Sequence, residues 1–211
     1  MNQIPDNVIF GINEANVPID YGYVRAINDE NVLITLLKLR LEVFFINQVE
    51  PLLIAQCAFP LSTMVCVGIE TLGNIFIKER KDDVSFQFVE ILKRLNQNFG
   101  RKPNKKFNTQ LTLIWKDKDL KNIDSFGKIV YRFFRNTMIH GYQGKGMYLS
   151  WESISKIEID DNSGFIVLNP GWFWEIFKEY FYRKFDEILK SEINNTERQN
   201  CLFYIRNYLL G

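Results

Sequence analysis

The only histidine of the chain, His140, stands five residues after Arg135, near the predicted end of an amphipathic helix. Gly141 follows at once, and glycine commonly ends a helix because it accepts left-handed backbone. Asn136 and His140 share one helical face, whereas Arg135 lies about 100° to one side of Asn136. A guanidinium, an amide and an imidazole around one small volume suit a phosphodiester, since arginine binds its charged oxygens and histidine moves protons near neutral pH.

A second interpretation of the same residues needs no ligand. The helix dipole by itself favours a histidine at a helix C-terminus. An arginine one turn earlier is common in any amphipathic helix. The spacing alone leaves both interpretations open, and the context of the motif has to decide between them.

Length and composition predict a single domain with a sizeable core. The chain has 211 residues, 46% of them hydrophobic, which excludes general disorder. Its net charge of +1 gives no global argument for or against nucleic acid. The cysteines Cys57, Cys66 and Cys201 form no CxxC pair, and with one histidine they make no set of metal ligands. The sequence therefore predicts no metal and no other cofactor.

The sequence predicts a cytoplasmic protein with reduced thiols and no membrane partner. Its first residues lack the basic and apolar regions of a signal peptide. The segment from Leu52 to Ile77 does resemble a membrane span, with Glu70 as its only charge. However, Pro60 interrupts it, and a carboxylate in hydrocarbon is costly. A helix buried in a bundle fits this segment better.

Apolar residues recur at three- and four-residue spacings, which predicts a mainly α up-and-down bundle. Residues 1–30 are expected to form an irregular arm and residues 31–211 a single helical domain. A β-hairpin is predicted within about 147–168, before the C-terminal helices. Residues 107–118 fit a strand or a helix equally well. The predicted helices begin near Asn31 (ending or kinking near Pro51), Leu61 (capped by Ser62 and Thr63, ending at Lys78), Asp82–Asp83, 119–124, Trp172 and Glu197.

Three further features each have two interpretations. Glu70, inside an apolar helix, needs a partner such as Arg135 or His140, and the pair is either a functional site or a plain salt bridge. The aromatic residues of the helix starting at Trp172 pack in the core or form a dimer surface. A basic loop either contacts RNA or is simply solvated, and it carries Arg101, Lys102, Lys105 and Lys106.

The residues from Arg135 to His140 match the Arg-x4-6-His motif and resemble the HEPN superfamily, the higher eukaryotes and prokaryotes nucleotide-binding domains. Asn136 is the usual polar residue of that motif. The segment around Glu70 resembles the earlier family helix, in which a polar residue often faces the Arg/His pair. The resemblance covers roughly residues 30–142 and, more loosely, the terminal helices.

The resemblance implies a metal-independent endoribonuclease, often a toxin or defence effector, in which two protomers line one cleft. His140 then moves the proton of an attacking ribose 2′-hydroxyl and Arg135 stabilises the developing charge. Asn136 orients phosphate or ribose, and Glu70 holds Arg135 or tunes His140. Tyr142 extends the match to toxins that a nucleotidyltransferase antitoxin adenylylates at this tyrosine, although it also fits an aromatic residue packed over the helix end. The alternative to an enzyme is a non-catalytic module that binds a nucleotide, RNA or protein.

Overall fold

Helices account for most of the described chain, and two small sheets accompany them. The described residues form two compact units, the first from Met1–Pro51, Asn74–Lys78 and Phe181–Gly211 and the second from Leu52–Gly73 and Glu79–Tyr180. The mainly α class is thus confirmed, while the division into an arm and one domain stays a prediction. The computed structural model describes residues 4–13, 15–78, 85–104, 123–135, 147–152, 156–160 and 165–211.

The first unit begins with short elements where the sequence predicts an irregular arm. Strands β1 (Ile9–Ile12) and β2 (Pro18–Asp20) pair antiparallel, and the five-residue helix α1 (Tyr21–Arg25) follows directly. The Asp20 carboxylate accepts a hydrogen bond from the backbone N–H of Tyr23 at 2.7 Å, which caps the first turn of α1. Local capping therefore orders a segment that has no helical periodicity.

The next helical run is longer and less regular than predicted. Helix α2 (Glu30–Leu41) starts at Asp29, whose side chain accepts two backbone N–H groups. A π-helical turn (Glu42–Ile46) follows, and then α3 (Asn47–Ile54). Pro51 lies inside α3, and the helix ends three residues later. The predicted break near Pro51 is therefore displaced, while the π turn has no counterpart in the prediction.

Helix α4 (Ala58–Phe76) starts earlier than the predicted Leu61–Lys78 helix. Pro60 falls in its first turn, where the missing N–H has no intrahelical partner to lose. The predicted caps are wrong: Ser62 is fully buried, and Thr63 donates its hydroxyl to a carbonyl one turn earlier at 2.9 Å. Both residues lie within the helix rather than at its start.

Helix α4 is long and apolar enough, by length and composition alone, to cross a membrane. The core helix of a soluble protein passes the same test, and 56% of the most apolar stretch of α4 is buried. Leu61, Val65 and Ile69 are fully buried along one face at four-residue intervals. This burial is consistent with the predicted packing helix.

Helix α5 (Phe86–Leu95) belongs to the second unit and ends in a 3₁₀ turn (Gln97–Gly100). The run that leads into the Arg/His motif comprises α6 (Phe126–Ile129) and a π-helical turn (Val130–Arg135). The Ser125 hydroxyl caps this run by accepting the backbone N–H of Lys128. The predicted start of α5 at Asp82–Asp83 and the undetermined segment 107–118 lie outside the described residues.

A three-stranded sheet precedes the C-terminal helices. Strands β4 (Ile157–Asp160) and β5 (Phe165–Leu168) pair antiparallel, which confirms the predicted hairpin. Strand β3 (Met147–Leu149) adds a parallel pairing on the other edge of β5, which the sequence did not predict. Asn169 follows the sheet, and helix α7 (Pro170–Lys190) begins two residues before the predicted start at Trp172 and ends at the predicted Lys190.

Helix α7 is covered on more than one side by aromatic residues, and these pack in the cores of the two units. Trp172 is half-buried. The other predicted aromatic positions, Phe173, Trp174, Phe177, Tyr180, Phe181 and Phe185, are all at most 4% exposed. Core packing is therefore the observed role of these six. The last helix, α8 (Thr196–Tyr204), begins at the Asn195 cap and continues as a π-helical turn (Ile205–Leu209).

Candidate functional site

Arg135 is the last described residue of the helical run that leads into the motif, and it pairs with the carboxylate of Glu70 on α4. The Arg135 Nη2 group donates to both Glu70 oxygens, Oε1 at 2.6 Å and Oε2 at 2.5 Å. Both residues belong to the second unit. The structure therefore pairs Glu70 with Arg135, one of its two predicted partners, while His140 lies outside the described residues.

The exposure of the ion pair separates a reachable site from a sealed polar cluster. The Arg135 side chain keeps 16% of its surface exposed, and the Glu70 side chain keeps 39%. A pair sealed in the core would keep almost none. Solvent therefore reaches both side chains of this pair.

Tyr131 is a second contact of the Arg135 guanidinium, and it is not among the predicted site residues. The Arg135 Cζ atom lies 5.5 Å from the centre of the Tyr131 ring, within the range of a cation–π interaction. The Tyr131 ring in turn packs against Phe88 of α5, with ring centres 5.3 Å apart. Spacing alone offered a signal, because residues four apart on a helix are neighbours. The guanidinium is therefore oriented by a carboxylate and by an aromatic face.

Cys66 lies one helical turn before Glu70, and its thiol is buried. Burial raises the pKa of the Cys66 thiol well above its ordinary value, while the charge of Arg135 lowers it and that of Glu70 raises it. The thiol is therefore neutral at physiological pH and acts as a small apolar side chain. An uncharged, buried side chain therefore lies near the ion pair.

The three cysteines are expected to differ in reactivity towards an aromatic disulfide reagent in the native protein. Cys57 is half-buried, whereas Cys66 and Cys201 are at most 1% exposed. Burial also raises the pKa of the Cys201 thiol to about 12, against the lowering effect of Arg198. One thiol should therefore react quickly, and Cys57→Ser should remove that phase. Fast labelling of Cys66, identified by peptide mass, would contradict the burial of this thiol in α4.

The structure brings together only part of the predicted site. Arg101 and Lys102 are exposed, and the Arg101 Cζ atom lies 5.8 Å from the centre of the Phe126 ring. The Arg101 carbonyl accepts the Phe126 backbone N–H at 3.0 Å, which places the start of the basic loop beside the N-terminal end of α6. Arg135 belongs to the same helical run. The remaining predicted site residues, Asn136, His140, Tyr142, Lys105 and Lys106, lie outside the described residues.

Two general features of the described residues do not identify a function. No group of three or more His, Cys, Asp or Glu side chains that could hold a metal ion occurs among them. Although π-helical turns are frequent at functional sites, the turn at Val130–Arg135 has counterparts at Glu42–Ile46 and Ile205–Leu209. A functional interpretation therefore depends on the contacts of Arg135.

Comparison with protein-family models, with curated proteins and with solved structures finds no match to this chain.

Proposed function

We propose that this chain is a metal-independent endoribonuclease of HEPN type that works as a homodimer in the cytoplasm. The observation that carries the proposal is the Arg135 guanidinium, held by Glu70 and by the face of Tyr131 while part of it stays exposed. Arg135 is also the first residue of the Arg-x4-His motif, which supports a role for its charge in the proposed reaction.

The proposed reaction is an internal transfer at phosphorus. A base removes the proton of the ribose 2′-hydroxyl, the O2′–P bond forms, and the P–O5′ bond breaks as an acid protonates the leaving oxygen. The products are a 2′,3′-cyclic phosphate and a free 5′-hydroxyl. Arg135 stabilises the negative charge that builds on the phosphoryl oxygens, as a bidentate donor.

A homodimer supplies both the base and the acid. The chain has one histidine, so a single protomer offers one copy of His140. Two protomers that line one cleft offer two, one to accept and one to deliver the proton. Asn136 orients phosphate or ribose in this scheme, and Glu70 is a positioning residue that acts through Arg135.

The proposal extends to biological role and partners. A toxin or defence effector fits an RNA-cleaving chain, and Tyr142 is then a candidate for modification by a nucleotidyltransferase antitoxin. The basic loop carries the proposed RNA contacts, Arg101, Lys102, Lys105 and Lys106, and the first two are exposed in the structure. Exposed basic residues attract phosphate without sequence preference.

The direct test is cleavage of end-labelled RNAs by the purified wild-type chain in EDTA. The expected products carry 2′,3′-cyclic phosphate and 5′-hydroxyl ends. The rate per protomer should fall on dilution below the dissociation constant of the dimer, measured in parallel by sedimentation. If the folded, dimeric wild-type protein cleaves none of a varied set of RNAs, the proposed endoribonuclease activity is wrong.

The alternative function is a non-catalytic module that binds a nucleotide, RNA or protein. One observation favours it: both Glu70 oxygens lie within 2.6 Å of a single Arg135 nitrogen, so the guanidinium charge is already compensated in the free protein. A nuclease must then exchange part of this pairing for the phosphate. Binding of RNA without turnover would support the module.

A further inference from the structure

A second arginine, in the first unit, stands among aromatic rings. The Cζ atom of Arg40, near the end of α2, lies 4.8 Å from the ring centre of Phe10, 5.4 Å from that of Phe44 and 5.9 Å from that of Tyr21. Phe10 and Tyr21 are buried, so they form a fixed wall beside the guanidinium. The aromatic rings therefore hold the cation in place through their faces.

The N–H donors of Arg40 are the unusual part of this arrangement. Arg25 contacts the same Tyr21 ring at 5.6 Å, and it donates to Asp6 and to the carbonyls of Ile4 and Leu210. Arg40, by contrast, donates to no acceptor among the residues that the structure describes. A guanidinium fork held by its faces, with its edges open, matches the geometry of a phosphate.

An exposed aromatic ring lies beside the same guanidinium, and the π turn Ile205–Leu209 packs against α2, which carries Arg40. The Phe44 side chain is 54% exposed. Burial raises the pKa of the Tyr204 hydroxyl, and the positive charge of Arg40 lowers it, so the two groups interact electrostatically. Tyr208 is 63% exposed, and its ring centre lies 5.7 Å from that of Tyr204. We call these four residues, Arg40, Phe44, Tyr204 and Tyr208, the Arg40 surface.

We infer that the Arg40 surface binds single-stranded RNA, with a phosphate on the Arg40 guanidinium and bases stacked on Phe44 and Tyr208. Sequence-tolerant binding of single strands combines a cation for the backbone with aromatic faces for the bases. An acidic peptide would pair its carboxylates with the Arg40 guanidinium, but it would offer no bases to stack on the exposed rings. The inference goes beyond the proposed cleavage, because it needs no turnover and none of the motif residues.

The test is fluorescence anisotropy with a labelled 2′-O-methyl oligoadenylate of about ten nucleotides, within the usual site size for such proteins. The blocked 2′-oxygen prevents the proposed cleavage, so binding is measured apart from turnover. Arg40→Gln should weaken binding about 10-fold or more and reduce the salt dependence by about 0.7 in the log–log slope, the value for one phosphate contact. Phe44→Ala should weaken binding at least about 5-fold and leave the slope unchanged.

Arg183→Gln is the matched control, because Arg183 is an exposed arginine of the same unit that pairs with Glu187. It makes the same change in charge and should leave the affinity unchanged. Equal affinities of Arg40→Gln and Arg183→Gln would overturn the inference, as would an absence of binding by wild type. A change of oligomeric state in Phe44→Ala with unaltered RNA affinity would overturn it in favour of a contact between copies. Phe44 is exposed, so its removal tests the site even where Arg40→Gln fails to fold.

The two proposals fail separately. Loss of cleavage in Arg135→Ala together with unchanged binding in Arg40→Gln would reject the Arg40 surface and keep the nuclease. Binding that depends on Arg40, in a chain that cleaves nothing, would keep the surface and reject the nuclease.

Discussion

Replacing Arg135 with alanine is expected to slow RNA cleavage by about 10²- to 10³-fold, the usual effect of losing one donor to a developing oxyanion. His140→Ala should slow it by about 10²- to 10⁴-fold, because it removes the proton transfer. Both variants should be measured in EDTA with the same RNA. Arg135→Lys should recover only part of the rate, since an ammonium keeps the charge but lacks the planar fork.

The fold should tolerate Arg135→Ala, so that loss of activity can be assigned to chemistry. The Glu70 carboxylate is 39% exposed and can be hydrated once its partner is gone, so the change costs only about 1 kcal/mol of unfolding free energy. Arg94→Ala is the matched control in the same unit, because Arg94 Nη1 lies 3.5 Å from the Tyr180 hydroxyl. It should lower stability to a similar degree and leave cleavage intact.

Two outcomes would contradict this assignment. Undiminished cleavage by folded Arg135→Ala and His140→Ala would show that the motif is not the active site. An equal loss of cleavage in Arg94→Ala would point to a general effect on the second unit. Thermal unfolding of each variant shows whether it is folded at the assay temperature, so that a loss of cleavage caused by unfolding can be recognised.

The elements that the sequence predicted well are those set by neighbours along the chain. The alternating residues of β4 and β5 predict a hairpin because successive side chains of a strand face opposite sides. Asn169 and Pro170 mark the start of α7 because proline is favoured at the first helical position. In each case the signal and the structure lie within a few residues of each other.

The elements that were missed depend on contacts that local patterns do not encode. The π turn at Glu42–Ile46 adds to a helical run whose apolar spacing looks regular. Strand β3 pairs in parallel with β5, although β4 lies between them along the chain. The buried Ser62 of α4 resembles a cap in sequence because serine serves both roles, and only packing decides between them.

The same division applies to the candidate sites. Glu70 was predicted to have a partner because a carboxylate in an apolar helix must be compensated, and Arg135 compensates it. The Arg40 surface was not predicted, because its rings come from the π turn after α2, from the last residue of α8 and from the π turn after α8. No spacing rule connects residues so far apart in sequence.

Trp174→Ala is expected to be the most damaging single substitution proposed for stability, at about 3–5 kcal/mol of unfolding free energy. The Trp174 side chain is fully buried in the second unit, and its ring stacks on Phe177 with centres 5.7 Å apart and planes 28° apart. Truncation leaves a cavity that the surrounding rings cannot fill. Urea denaturation followed by circular dichroism measures the change.

Two further variants of α7 show which property of the indole matters. Trp172→Ala, two residues earlier on the same helix, should cost less because Trp172 is half-buried. The Trp174 Nε1 group has no hydrogen-bond acceptor among the described residues, so Trp174→Phe removes a buried donor along with some volume. It should therefore cost clearly less than Trp174→Ala, because an aromatic ring still fills most of the site and the buried donor that is lost had no acceptor. A cost for Trp174→Phe as large as that for Trp174→Ala would mean that the indole N–H, rather than its volume, holds this core together.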